Sequence, residues 1–189
     1  MIPSVESPLV ANTLAFVTYA INCFGENMSE IVNGLWVGNI AGAWDLAALN
    51  EANINHVVSI TQFGHAAAFY PDKISYYVVK LQDVPESNIG EVLDGAADFI
   101  HNTISTGKPV LIHCNQGKSR SATVAAAYLV KHRGYETTAA LGLLRDKRPV
   151  VCPNPGFIRQ LYAFATDLPP AAPTAFRRHS SHTSSASRE

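Results

Sequence analysis

Not one of the first 72 residues is a lysine or an arginine. All 14 basic side chains lie from Lys73 onward, with six acidic residues before it and nine after, so the net charge of −1 conceals a split of −6 and +5. Such an asymmetry marks either an anion-handling second part or surface chance, and composition alone does not choose between them. No apolar run approaches the roughly 18–20 residues that span a bilayer, and the N-terminus lacks the basic start of a secretory signal. The expectation is a soluble protein, cytoplasmic or also nuclear, without a transmembrane segment. Cysteine is scarce too. Cys23, Cys114 and Cys152 are odd in number and at no metal-ligand spacing, which argues against a disulfide scaffold, a zinc site or any other metal. With 189 residues, 47% of them hydrophobic, the chain is sized for one packed domain.

Ser7-Pro8 starts a helical pattern in which Val10, Leu14, Val17, Ile21 and Phe24 recur every three or four residues until Gly25, giving an amphipathic extension over residues 1–27. Its polar face carries no basic residue, so it is expected to pack on the domain or a partner. Asn33-Gly34, between Ile31-Val32 and Leu35-Trp36-Val37, suits a type I′ hairpin turn and opens the main domain, residues 28–167. A helix over 43–52, strands over 56–60 and 74–81, a helix over 90–105 and a buried strand over 110–112 follow. Helices over 119–132 and 137–145 come next, and Asn154-Pro155 caps a last one. Strands alternating with helices predict an α/β fold with a central, mostly parallel sheet of about five strands flanked by helices. Residues 168–189 turn to Pro, Ala, Ser and Thr with Arg177-Arg178, a composition expected to be disordered. Arg177-Arg178-His179-Ser180-Ser181 also fits a basophilic-kinase site.

The segment that carries chemistry is His113-Cys114-Asn115-Gln116-Gly117-Lys118-Ser119-Arg120-Ser121, between the buried strand and the start of a helix. A tight strand-to-helix loop turns successive backbone N–H groups toward one point and adds the positive end of the helix, and Gly117 allows a conformation that side chains resist. Residues Asn115, Gln116, Gly117, Lys118, Ser119 and Arg120 are thus expected to bind a phosphate-sized dianion. Cys114 at the base of that nest would have its thiolate stabilised by the same amides, the helix dipole and Arg120, and so act as a nucleophile. Arg120 can offer a planar fork to two phosphate oxygens.

This stretch resembles the Cys-x5-Arg signature loop of protein tyrosine phosphatases, and is most similar to the dual-specificity branch. The likeness extends from Val32 to Leu161 through Leu35-Trp36-Val37-Gly38, Ala97-Asp98-Phe99-Ile100 and Pro153-Asn154-Pro155-Gly156-Phe157 with Gln160-Leu161. It implies a phosphatase-like fold and hydrolysis of phosphotyrosine, phosphoserine and phosphothreonine through a cysteinyl-phosphate, with no cofactor. Asp83, which follows a strand and opens an irregular stretch, stands where the family supplies its general acid, with Glu86 in reserve. Asp94 and Asp98 are expected in solvated or capping roles. The resemblance also gives Ser121 a part in thiolate departure, unless it only caps the helix, and gives His113 hydrogen bonds that order the loop.

Phosphorylated proteins are the expected partners. Lys118 keeps phosphoinositides and inositol phosphates open as substrates, and a phosphate-binding module without activity is the third reading. No nucleic acid is expected, and the sequence is silent on oligomeric state. Arg145, Lys147, Arg148 and Arg159, on helices after the loop, are expected to place a positive field around its mouth. Cys23 and Cys152 are read as spectator thiols, the alternative being a disulfide that traps oxidised Cys114.

Overall fold

The computed structural model of the chain describes residues 26–169. The extension expected over 1–27, with Cys23, and the tail expected over 168–189 lie outside those residues except at their inner ends. One sheet of five strands has the order β1-β2-β5-β3-β4, with β1 Met28–Val32, β2 Leu35–Gly38, β3 His56–Thr61, β4 Ser75–Lys80 and β5 Val110–His113. β1 runs antiparallel to β2 and the other three pairings are parallel, so the mostly parallel sheet is borne out. Around it lie helices α1 Ile40–Trp44, α2 Leu46–Glu51, α3 Gly90–Ser105, α4 Arg120–Arg133, α5 Thr137–Lys147 and α6 Pro155–Asp167. Among the described residues no helix is long and apolar enough to cross a membrane.

Burial on both faces explains why β5 reads as an unbroken apolar run. On one face Val37, Val58, Ile60 and Ile112 pack with α3 to α6; on the other, Val57 and Leu111 meet Ala43, Leu49 and Ile54 around α1 and α2. The β2–β3 connection runs through α1 and α2 on the second face, whereas the β4–β5 connection runs through α3 on the first. The chain direction therefore diverges at β5. In open α/β sheets the crevice beyond the C-terminal strand ends at such a point is where ligands bind. α4, which leaves that point, is buried all round from Arg120 to Leu129, and its alanines let α3, α5 and α6 come close. Gly134, at φ 69°, ends it in the left-handed conformation that favours glycine.

Three local expectations change. Gly34 has φ 80° but Asn33 keeps a negative φ, so the hairpin is not type I′; the register instead slips between Glu30 and Val32. The helix expected over 43–52 is two helices, because Asp45 leaves helical geometry and caps the second through Ala48 N–H at 3.0 Å. Asp98 is not simply solvated: Lys131 at 2.7 Å and His132 at 2.7 Å hold its carboxyl below the usual range, with Lys131 also reaching Asp94 at 2.6 Å.

Two buried polar side chains join the sheet to the loop that follows β5. Arg148, expected on a helix and around the mouth, lies instead just past α5 and is 1% exposed. Its Nε donates to the Gly117 carbonyl at 2.9 Å, and its Nη1 to the Glu26 carbonyl at 2.6 Å and Ser29 Oγ at 3.2 Å. Burial lowers its pKa, opposed by the charges of Cys114 and Glu26. His113 closes β5 beside Ser59 of β3, is 0% exposed, and has neither ring nitrogen hydrogen-bonded. Of the hydrogen bonds expected to order the loop, only the approach of the ring to the Cys114 main chain remains, and the ring packs 6.5 Å from Phe69. Burial, with the charge of Arg120 and against the main chain of Cys114, pushes its pKa down to about 4.

Arg148→Met strands three acceptors, and is expected to cost about 2–4 kcal/mol of unfolding free energy in urea titration. For His113 the unfolded chain takes up a proton near the ordinary histidine value of 6.5 that the folded chain refuses until about 4. Its contribution is therefore flat above pH 6.5 and turns destabilising as pH falls, by about 3 kcal/mol at pH 4. Unfolding titrations of His113→Asn should lack that part of the acid loss, and curves parallel to those of the parent would contradict the assignment.

Candidate active site

The loop from Cys114 to Ser119 joins the end of β5 to the first residue of α4, so the nucleophile candidate sits just past the central strand and the anion-binding candidates lead into a helix N-terminus. Its carbonyls are tied outward. Asn115 O accepts Ile40 N–H at 3.2 Å, Gly117 O accepts Arg148, Lys118 O accepts Cys152 N–H at 2.9 Å, and Ser119 O accepts Thr123 N–H at 2.9 Å. With the carbonyls held there, the loop presents N–H groups to its interior, and that of Gly117 donates to Cys114 Sγ at 3.2 Å. Gly117 has φ 67°, and a Cβ on it would meet the Gly38 carbonyl at 2.6 Å and Arg148 Nη2 at 2.7 Å. Only glycine fits both demands.

Cys114 is 1% exposed, with Ser121 Oγ 3.2 Å from its sulfur. Ser121 therefore faces the sulfur and does not cap α4. Ser119 stands at the N-cap position but makes no capping bond, since its hydroxyl donates to Asp83 Oδ1 at 2.7 Å. The first turn of α4 thus keeps backbone donors that a side-chain cap would have satisfied. Arg120, 5% exposed, donates from Nη1 to the Leu81 carbonyl at 3.0 Å and from Nε to Asp83 Oδ2 at 3.3 Å. Lys118 and Asn115 are half-buried and Gln116 is exposed. Cys152 is an exposed free thiol.

The sequence-predicted residues Cys114, Arg120, Asp83 and Ser121 thus converge on one site. Asp83 reaches it from the segment after β4, and Glu86, further along and exposed, makes no contact described with the loop. What sequence reasoning missed is the role of α6. Asn154 caps it as expected, its Oδ1 accepting Phe157 N–H at 3.0 Å, but its Nδ2 also donates to Asp83 Oδ1 at 2.9 Å. Gln160 clamps the same segment, donating to Ser87 O at 2.9 Å and accepting Gly90 N–H at 2.8 Å. Gly156 allows Pro85 to lie against α6, where a Cβ would fall 2.0 Å from its carbonyl oxygen. An amide that caps a helix with one atom has two donors left over, and that surplus was the available signal for Asn154.

Comparison with known proteins agrees with this geometry. Residues 35–167 match the family model of the dual specificity phosphatase catalytic domain. Dual specificity protein phosphatase 1B of Arabidopsis thaliana is 39% identical over 76% of this chain and 85% of its own length. Dual specificity protein phosphatase 19 of Mus musculus is 33% identical over 69% of this chain and 58% of its own. Among solved structures, DUSP15 superposes with a TM-score of 0.68 at 32% identity, over 74% of this chain and 88% of that one. The human tyrosine phosphatase-like serine/threonine/tyrosine-interacting protein does so with 0.69 at 30%, over 74% and 95%. A catalytic-domain match across most of the described fold, on a chain that keeps the cysteine and arginine of the signature loop, makes this protein a member of the dual specificity phosphatases, the cysteine-based phosphatases of proteins.

Proposed function

We propose that this protein hydrolyses phosphotyrosine and phosphoserine or phosphothreonine in proteins through a cysteinyl-phosphate on Cys114. The observation that carries the reading is the convergence of the Cys114 sulfur, the loop amides, Arg120 and Asp83 within one hydrogen-bonded site. The phosphoryl group sits in the nest of amides from Asn115 to Arg120, where its charge is matched by fixed donors. The 3.0 Å bond to Leu81 O holds Arg120 in place, and the longer 3.3 Å contact with Asp83 is the one a phosphate displaces. Cys114 then attacks phosphorus while Asp83 protonates the leaving oxygen. In the second step Asp83 takes a proton from water, which releases phosphate from sulfur with Ser121 stabilising the departing thiolate.

Protein over lipid or inositol phosphate is supported by large apolar side chains exposed on the segments leaving β2, β3 and β4, namely Trp44, Phe63 and Val84, the last beside Asp83. Such surface suits side chains flanking a phosphoresidue. The expected cationic collar is weakened, since Arg148 is buried beneath the loop. A phosphate-binding module without turnover is disfavoured by a sulfur already in hydrogen-bond contact with Gly117 and Ser121.

Hydrolysis of p-nitrophenyl phosphate is expected to be inhibited by vanadate and to fall to background in Cys114→Ser; turnover surviving in that variant would remove Cys114 as the nucleophile. Asp83→Ala is expected to lower kcat on a phosphotyrosine peptide by about 100-fold with phosphate binding retained. An unchanged rate would move the acid to Glu86. Phosphopeptides and phosphoinositide vesicles assayed side by side on the parent enzyme test the substrate class, the peptides being turned over faster.

A further inference from the structure

The two oxygens of Asp83 are not used alike. Oδ1 receives the Ser119 hydroxyl at 2.7 Å and the Asn154 amide at 2.9 Å, whereas Oδ2 meets Arg120 Nε at 3.3 Å. Two donors fill the acceptor capacity of Oδ1, so a proton placed there would face two others. Neither donor can turn round. The Asn154 side-chain oxygen is committed to Phe157 N–H at 3.0 Å, which forces its NH2 group toward Asp83. The Ser119 hydroxyl accepts Asn154 N–H at 3.2 Å, which leaves its proton for Asp83. Asn154 thus orients both donors, one through its side chain and one through its main chain. The segment bearing Asp83 is pinned to the same helix by Gln160 and by the approach of Pro85 to Gly156.

We propose that Oδ1 is the anchor and Oδ2 the proton carrier of Asp83, and that Asn154 is the positioning residue that imposes this division; the inference rests on Asp83 being the general acid. In the first step the sulfur lone pair forms the S–P bond, the P–O bond breaks, and the proton on Oδ2 passes to the leaving oxygen. The carboxylate left behind already has two donors on Oδ1, so its charge is met where it appears. In the second step water oxygen bonds to phosphorus, its proton goes to Oδ2, and the S–P electron pair returns to Cys114.

The test compares kcat/KM on phenyl phosphate, whose leaving oxygen needs the proton, with that on a fluorinated nitrophenyl phosphate, whose leaving oxygen does not. Asp83→Ala should slow the first by about 100-fold and the second far less. Asn154→Ser keeps a side-chain cap for α6 but cannot bring an amide to Asp83. It should slow phenyl phosphate by about 10-fold and the activated ester by less than about twofold, with a melting temperature close to the parent's. Asn154→Thr, which also keeps a side-chain cap and lacks the amide, should give the same signature and serves if the serine variant is unstable. Equal losses on both esters, or no loss on either, in the Asn154 variants overturn the positioning role. Equal losses in Asp83→Ala overturn the acid assignment itself, and the inference with it.

Discussion

The site hangs from a buried guanidinium. Arg148 takes up the carbonyl of Gly117 from beneath and the carbonyl of Glu26 beside it, so the first described residue and the nucleophile loop share one charged group. A peptide unit whose oxygen is bound on one side must show its N–H on the other. Repeated at Asn115, Lys118 and Ser119 with different partners, that constraint turns a loop into a set of aligned dipoles. The arrangement is costly, because a charge is kept out of water, and the cost is offset only while every donor but Nη2 has its acceptor. This is why Gly117 admits no side chain: the space a methyl would take is already held by the guanidinium and by the end of β2.

Much of this was legible in the residues. The strand over 110–112, the glycine-bearing loop and the alanine-rich helix after it could be read in order because each rests on local chemistry. Cys114, Arg120 and Ser121 followed from their spacing within that loop and from the family it resembles. The misreadings have a common origin in tertiary contact. Arg148 looks like a surface cation at the end of a helix, and nothing near it in sequence signals that the acceptors it satisfies lie 31 and 122 residues away. His113 looks like a hydrogen-bonding partner and is instead held neutral by its burial. Asn154 and Gln160 lie 70 residues or more beyond the aspartate segment they restrain, at 71 and, to Gly90 and Ser87, 70 and 73.

Cys114 and Asp83 reach the site by different means. Cys114 stands at the end of a strand paired on both sides, while Asp83 arrives on an irregular segment made firm by side chains of α6 and by the loop it meets. The exposed apolar side chains Trp44, Phe63 and Val84 lie on the segments leaving β2, β3 and β4, outside the hydrogen bonds of both frameworks.

The place of β5 in the middle of the sheet sets how Cys114 and Asp83 share in fluctuations of the fold. Amides of a fully buried central strand exchange with solvent only when the whole sheet opens, whereas a segment secured by a few side-chain bonds opens locally at far lower free energy. The cysteine end of the site thus inherits the global stability of the protein and the aspartate end only that of its contacts with α6. With Asp83 as the proposed acid, mild heat or denaturant would silence proton transfer while the thiol still stood in its nest, so that turnover and unfolding part company.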